Sequence, residues 1–333
     1  MSGNKAVLIT WRDNFSDFSG GVTRTVHLAG LISKFLGVKI DIWFRRDTPR
    51  SLLLAGLKMI TGSAYLREAR FKYVALPDLS RYDIVIVDYI RSLISVYKHI
   101  RNNKKLIYIS HDYYKELPYN GITSLQKEAK KALSKVSLAV VVSRRDYYLH
   151  KQEAPDVEYV VFPNIYPEEF KPEPRRGKLT FVTVKTTHVD QEFVKALAAA
   201  LGADTIAIGK KIAGAEYVPN VATRSEYLAT LSQGHIGINY SNTGNYYSTG
   251  SNVKRYDYAL AGLAVANHAL STTGDPLLPC EFTFVDVYDL VAKTEALLDR
   301  VDQCGKQNRE YALRKYEEAY RELERKILEL AGR

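Results

Sequence analysis

Short runs of aliphatic and β-branched residues alternate along the chain with stretches in which apolar residues return every three or four positions. In the first half the runs are AVLITW (6–11), VKIDIWF (38–44), DIVIVD (83–88), KLIYIS (105–110), LAVVVS (138–143) and EYVVF (158–162). Several are apolar at successive positions, which suits strands covered on both faces, as in a parallel sheet. Helical periodicity occupies 22–36, 90–101, 123–135 and 144–152. The βαβα order predicts a doubly wound α/β domain.

The alternation stops at PNIYPEEFKPEPRRGK (163–178), where four prolines and many charges disfavour helix and strand alike. It then resumes. Strands are expected at LTFVTV (179–184), DTIAIG (204–209), HIGINY (235–240), LAVAN (263–267) and FTFVDV (282–287), and helices at 189–201, 224–232, 252–261 and 288–300. The end of the chain, 306–331, reads as one long amphipathic helix. The pattern therefore divides into a Rossmann-like domain at 1–163, a linker at 164–178, a second Rossmann-like domain at 179–305, and a terminal helix at 306–333. In such sheets ligands bind beyond the carboxyl ends of the strands, so two domains facing each other would place a site in the cleft between them.

Charge adds a bias to this picture. The net charge is +10, and residues 1–170 carry 26 Lys+Arg against 17 Asp+Glu. A basic first half suits a phosphorylated substrate, an anionic membrane or a solvated surface. Residues 45–72 hold seven Lys/Arg and two acids among apolar residues, a composition fit for a helix lying on an anionic membrane or for a core helix with a basic outer face. No apolar run approaches the roughly 20 residues of a membrane span. The two cysteines, Cys280 and Cys304, are too few for a disulfide framework and read as thiols without an assigned role. The expected location is cytoplasmic, with peripheral membrane contact as an option.

Four segments at strand ends carry candidate chemistry. Gly20 and Gly21 follow the first strand and open a helix, where paired glycines allow close backbone approach and free amides favour an anion; a plain tight turn would look the same. His111 follows the strand 105–110 and suits a base or a sugar-positioning donor. Lys185 and Thr186 follow the first strand of the second domain, and a lysine with a hydroxyl there suits a diphosphate. The loop SNTGNYYSTGSNVKRYDYALAG (241–262) leads into a helix. It offers the amides of Thr249, Gly250, Ser251 and Asn252 to phosphate, with Lys254 in the first turn and Asp257 one turn on, a carboxylate suited to ribose hydroxyls. No Asp-x-Asp metal motif stands in a strand-end loop.

In order and spacing these segments resemble the GT-B glycosyltransferases of the GT4 type over nearly the whole chain. The likeness rests on WRDNFSDFSGGVTRTVHLAGLI near the start, VVVSRRDYYL and VVFPNIYPEEFKP before the linker, and NVKRYDYALAGLAVAN, which is similar to the family's Lys-x-x-Glu-Tyr-x-Ala-x-Gly-x-Pro-Val run. It implies an acceptor-binding first domain, a nucleotide-diphosphate-sugar-binding second domain, and a last helix that crosses back to the first. It further implies that Gly20 and Gly21 approach the donor phosphates or the acceptor, that His111 faces the sugar near the reacting carbon, that Lys185 contacts the diphosphate and that Asp257 binds the ribose. The family's first motif glutamate falls on Thr249, its second on the shorter Asp257, and a second phosphate-binding lysine after Lys185 is absent. Sugar transfer from a nucleotide donor to an acceptor hydroxyl of a glycan, lipid or protein is thus implied. It would retain anomeric configuration, with the departing diphosphate stabilised by Lys185, Lys254 or Arg255 and the 249–252 amides rather than a metal, and with no cofactor beyond the co-substrate.

Three other functions fit parts of the pattern. The missing glutamate fits a non-catalytic nucleotide-sugar binder, and a nucleotide-sugar epimerase shares the architecture. The basic balance alone fits nucleic-acid binding, against which stand scattered basic residues and no recognised binding motif.

Overall fold

In a computed structural model the structure describes residues 5–10, 20–44, 70–73, 78–100, 105–111, 113, 122–186, 188–219, 221, 223–240, 252–271 and 275–332. The chain forms two compact units. The first holds the described residues as far as Asn164 and those from Glu318 onward; the second holds those from Ile165 to Glu317.

The first unit is a seven-stranded sheet, ordered β3-β2-β1-β4-β5-β6-β7, and every pairing is parallel. Its strands are β1 (Ala6–Thr10), β2 (Ile40–Phe44), β3 (Arg70–Tyr73), β4 (Ile84–Asp88), β5 (Lys105–Ile109), β6 (Leu138–Val141) and β7 (Glu158–Val161). The helices are α1 (Gly20–Leu36), α2 (Ile90–Val96), α3 (Ile122–Leu133) and α4 (Arg144–Glu153). Val7, Ile9, Val85, Val87, Leu106 and Tyr108 pack on one face with Leu93 of α2 and Ala129 and Leu133 of α3. The intervening Leu8, Ile84, Ile86 and Ile107 are buried as well, so both faces are covered and the strands read as unbroken apolar runs.

The second unit repeats the plan with six parallel strands, ordered β10-β9-β8-β11-β12-β13. They are β8 (Thr180–Val184), β9 (Asp204–Ile208), β10 (Glu216–Val218), β11 (Ile236–Asn239), β12 (Ala264–His268) and β13 (Glu281–Phe284). Of its helices, α5 (Gln191–Leu201) and α8 (Val287–Glu295) pack on one face through Phe193, Leu197 and Leu290. On the other face α6 (Arg224–Ser232) and α7 (Val253–Leu260) contribute Leu228, Leu231, Tyr258 and Leu260. Local chemistry sets several helix starts: Asp190 accepts from Phe193 N, Asp286 from Asp289 N, and Thr223 forms a reciprocal capping box with Glu226. Tyr258 of α7 lies over Gly237 of β11, where a Cβ would fall within its ring.

The last helix, α9 (Val301–Ala331), starts in the second unit and ends among first-unit residues. There Tyr320 meets Phe35 edge-on at 5.0 Å and accepts from Lys34 Nζ at 2.8 Å, and Leu323 and Ile327 are buried.

Four sequence expectations change. The strands β3 and β10 are additions, each short and lying at a sheet edge. Residues 70–72, counted above in an amphipathic helix, belong to β3, and 45–69 lie outside the described residues. The proline-rich stretch from Ile165 belongs to the second unit, with Ile165 and Tyr166 buried and Arg175 bonded to Asp302 and Gly262 O. Cys280 and Cys304 form a disulfide, with Cα atoms 5.1 Å apart, joining the start of β13 to α9; a pair this far apart in sequence is brought together only by the sheet. Among the described residues no helix is long and apolar enough to cross a membrane.

Candidate functional site

Each sheet has one point where strand order reverses, between β1 and β4 in the first unit and between β8 and β11 in the second. Crevices at such points are where open α/β sheets bind ligands. The two non-glycine residues with positive φ among the described residues both sit there: Tyr89 (φ 67) directly after β4, and Lys185 (φ 41) directly after β8. Such conformations cost about 1–3 kcal/mol and cluster at functional sites.

At the first reversal, β1, β4, β5 and α1 bring polar groups together in an apolar setting. Asp88 ends β4, is fully buried, and accepts through Oδ2 from Thr10 Oγ1 at 2.8 Å and Thr25 Oγ1 at 2.9 Å. Thr25 Oγ1 also lies 3.2 Å from His111 Nε2. His111 follows β5, is buried, and has the Tyr89 ring 5.6 Å away. Beside Thr25, the buried Arg24 donates to the carbonyls of Ser110 (2.7 Å), Phe162 (2.5 Å) and Val140 (3.2 Å), tying α1 to the carboxyl ends of three strands. Gly20 and Gly21 open α1 itself, two residues earlier than the expected helix start.

At the second reversal, Lys185 is exposed after β8 and Lys254 is half-buried in the first turn of α7. The Asp257 carboxylate is the opposite charge that acts on Lys254. Burial, and then the charge of Lys185, hold the Lys254 ammonium below the usual lysine range. The two lysines bring positive charge to this point, and the Asp257 carboxylate opposes that lowering. Asn252 precedes α7 and, unlike Asp190, Thr223 and Asp286, makes no side-chain cap bond there. Thr186 is buried; its hydroxyl donates to Tyr240 O at 2.6 Å and accepts from His188 N at 3.3 Å, tying the ends of β8 and β11 together. Tyr240 is stacked between His188 (4.8 Å) and His268 (3.9 Å).

Asp257 is buried and accepts from Arg224 Nη2 at 2.5 Å, while Arg224 Nε donates to Tyr166 O at 2.8 Å. Burial pushes the Asp257 carboxyl upward, and Arg224 and Tyr227 oppose that rise. Arg255, considered above for the diphosphate, is instead fully buried and paired with Glu281 at 2.6 Å, because its place on α7 points into the core. Thr249, Gly250 and Ser251 lie outside the described residues. Asp88, Thr10, Thr25 and Arg224 escaped the sequence reading. Asp88 alone had a signal, a carboxylate closing the run DIVIVD.

Comparison with solved structures places the architecture. Anabaena HepE, solved with UDP and glucose, matches with a TM-score of 0.67 at 12% identity over 99% of both chains. CalG4, the calicheamicin glycosyltransferase, matches with a TM-score of 0.51 at 11% identity over 98% of this chain and 99% of that one. The fold is that of the GT-B glycosyltransferases. A Listeria monocytogenes protein assigned as a UDP-N-acetylglucosamine 2-epimerase also matches, with a TM-score of 0.51 at 10% identity over 91% of each chain. No protein-family model matches the chain, and no curated protein does. Identities this low speak for the GT-B fold alone.

Proposed function

We propose that this protein is a GT4-like glycosyltransferase that moves a sugar from a nucleotide-diphosphate donor to an acceptor hydroxyl. The observation that carries this reading is the pair Lys185 and Lys254, two cations brought within electrostatic reach of each other at the reversal point of the second sheet on a GT-B fold. A departing diphosphate gains negative charge as the anomeric bond breaks, and preorganised cations aimed at it lower the barrier. The acceptor oxygen forms the new bond to the anomeric carbon and its hydroxyl proton is released; the diphosphate leaves with the bonding electrons. Lys185, Lys254 and the amide ends at 249–252 would hold that diphosphate without a metal, and Asp257 would serve the ribose from its place beside Arg224. In the first unit His111 would meet the reacting sugar, with Gly20 and Gly21 offering backbone amides. Retention of configuration belongs to the same reading, as does an acceptor from among glycans, lipids or proteins. HepE solved with UDP and glucose, and CalG4 as a glycosyltransferase, support a nucleotide-sugar donor.

The test is a thermal-shift panel of UDP-, GDP- and ADP-sugars, followed by product analysis with and without acceptor in EDTA. One donor should raise the melting temperature in proportion to its excess over Kd, and transfer should persist in EDTA. Epimerised donor formed without any acceptor would instead favour the epimerase, a reading prompted by the Listeria neighbour. Binding with no turnover in either assay would favour a non-catalytic binder.

A further inference from the structure

Arg24 stands one turn into α1 and is fully buried. Its side chain reaches four oxygens. Nε donates to Ser110 O at 2.7 Å, Nη1 to Phe162 O at 2.5 Å and to Asn164 Oδ1 at 3.4 Å, and Nη2 to Val140 O at 3.2 Å. Ser110 follows β5, Val140 lies in β6 and Phe162 follows β7, so one guanidinium joins three neighbouring strands at their carboxyl ends. A planar fork of fixed N–H directions can meet several carbonyls at once, whereas a lysine ammonium is a point charge on a flexible stem. Ser110 is gripped on both sides: its N–H donates to Val140 O at 2.9 Å, and its carbonyl accepts from Arg24. That carbonyl belongs to the planar peptide that carries the His111 nitrogen, so turning one turns the other. The next residue of α1, Thr25, stands 3.2 Å from His111 Nε2 and 2.9 Å from Asp88 Oδ2.

We propose that Arg24 is a positioning residue for His111, fixing where that side chain stands against α1 and against the end of β4. It acts from both sides of the contact. It belongs to the helix that carries Thr25, and its Nε holds the carbonyl directly before His111. What it contributes is the set of N–H directions rather than the charge. A lysine here would keep the charge but would leave the carbonyls of three strands to one ammonium. The 110–111 peptide would then be free to turn, and His111 would lose its fixed place, in which Nε2 lies 3.9 Å from Asp88 Oδ2. A reacting group misplaced by about 1 Å can cost on the order of 100-fold in rate. The loss should fall on turnover rather than on donor affinity, because Lys185, Lys254 and Asp257, the residues assigned to the donor's diphosphate and ribose, belong to the second unit. The catalytic consequence rests on the reading of His111 as the residue that meets the reacting sugar; the positioning itself does not.

Two measurements on the full-length protein keep the positioning apart from the chemistry. In crystal structures without substrate, Arg24→Lys should turn the 110–111 peptide and displace His111 from Asp88 and Thr25, with β1 and β4 as in the wild type. In transfer assays with the donor that the thermal-shift panel selects, Arg24→Lys should lower kcat roughly 10- to 100-fold with donor KM little changed. A double-mutant cycle then asks whether Arg24 works through the histidine: Arg24→Lys should cost much less in a His111→Gln background than in the wild type, because residues that act through one another are not additive. Should Arg24→Lys fail to fold, Arg24→Gln, which keeps a planar amide donor without the charge, takes its place in each comparison. A His111 that keeps its place in the variant structure overturns the proposal even if transfer is demonstrated. An unchanged kcat overturns the catalytic consequence, as do equal losses in the two backgrounds. If the wild type transfers no sugar, the functional reading falls, and the place of His111 in the variant structure alone decides the positioning.

Discussion

At the scale of single residues, the second unit's cations behave differently although their sequence setting is alike. Lys254 and Arg255 are neighbours on α7, yet one stays half-buried while the other is closed off by Glu281. Charge-assisted hydrogen bonds contribute about 1.5–3 kcal/mol. If the pair holds the donor diphosphate, Lys185→Met or Lys254→Met should weaken binding of the nucleoside diphosphate that the thermal-shift panel selects by roughly 10- to 100-fold, as isothermal titration calorimetry would measure. In the proposed role the protonated form of Lys254 would bind the anion, and its ammonium is held below the usual range by burial and by Lys185. Affinity should thus fall as pH rises, beginning below the ordinary lysine range, and Lys254→Met should flatten that limb of the titration. Asp257→Asn removes the charge facing the buried Arg224. Breaking a buried pair on one side costs about 3–5 kcal/mol, so chemical denaturation should show that loss alongside any change in donor affinity. Lys185, Lys254, Asp257 and His111 could all be picked out in advance because each stands just past an apolar run or in the first turns of a helix. Thr25 could not: it lies mid-helix, and its importance comes from Asp88, 63 positions away.

At the scale of elements, what presents Lys254 is the seating of α7 on β11. Tyr258 reaches across to Ile238 O at 3.1 Å, and Gly237 leaves the space its ring fills. Gly237→Ala should destabilise the protein by about 1–3 kcal/mol through overpacking. It should also weaken binding of the donor that the thermal-shift panel selects by lifting the first turn of α7, whereas a change in urea midpoint with unaltered donor affinity would mean that Lys254 is placed independently of this contact. The long apolar strands and amphipathic helices were legible in the sequence because burial on both faces and a helical apolar period are local patterns. The short edge strands β3 and β10 were not, since what makes them strands is a paired neighbour rather than their own composition.

At the scale of the whole molecule, α9 and the disulfide are the features that link distant parts of the chain. Leu323 and Ile327 bury the end of α9 within the first unit. Leu323→Ala should cost about 2–5 kcal/mol, as large-to-small exchanges in cores do, seen as an earlier unfolding transition by circular dichroism. The Cys280–Cys304 bridge closes a segment of sequence separation 24, and a loop of that length constrains the unfolded chain by about 3 kcal/mol. A Cys280→Ser, Cys304→Ser double variant should unfold at correspondingly lower denaturant, and mass spectrometry of unreduced protein should find no free thiol in the wild type.

The sequence by itself determined the α/β class, the duplication into two Rossmann-like halves and the strand ends at which chemistry could sit. Those properties follow from hydrophobic period and from proline and glycine placement, which act over a few residues. Only the tertiary structure decided that Lys254 stays half-buried while Arg255 is paired inside with Glu281, that Asp257 answers Arg224, that Cys280 meets Cys304, and that Thr25 stands between Asp88 and His111. The physical reason is distance along the chain. Partners dozens of residues apart have no shared local pattern, and parallel strands joined by crossover helices set which of their ends become neighbours.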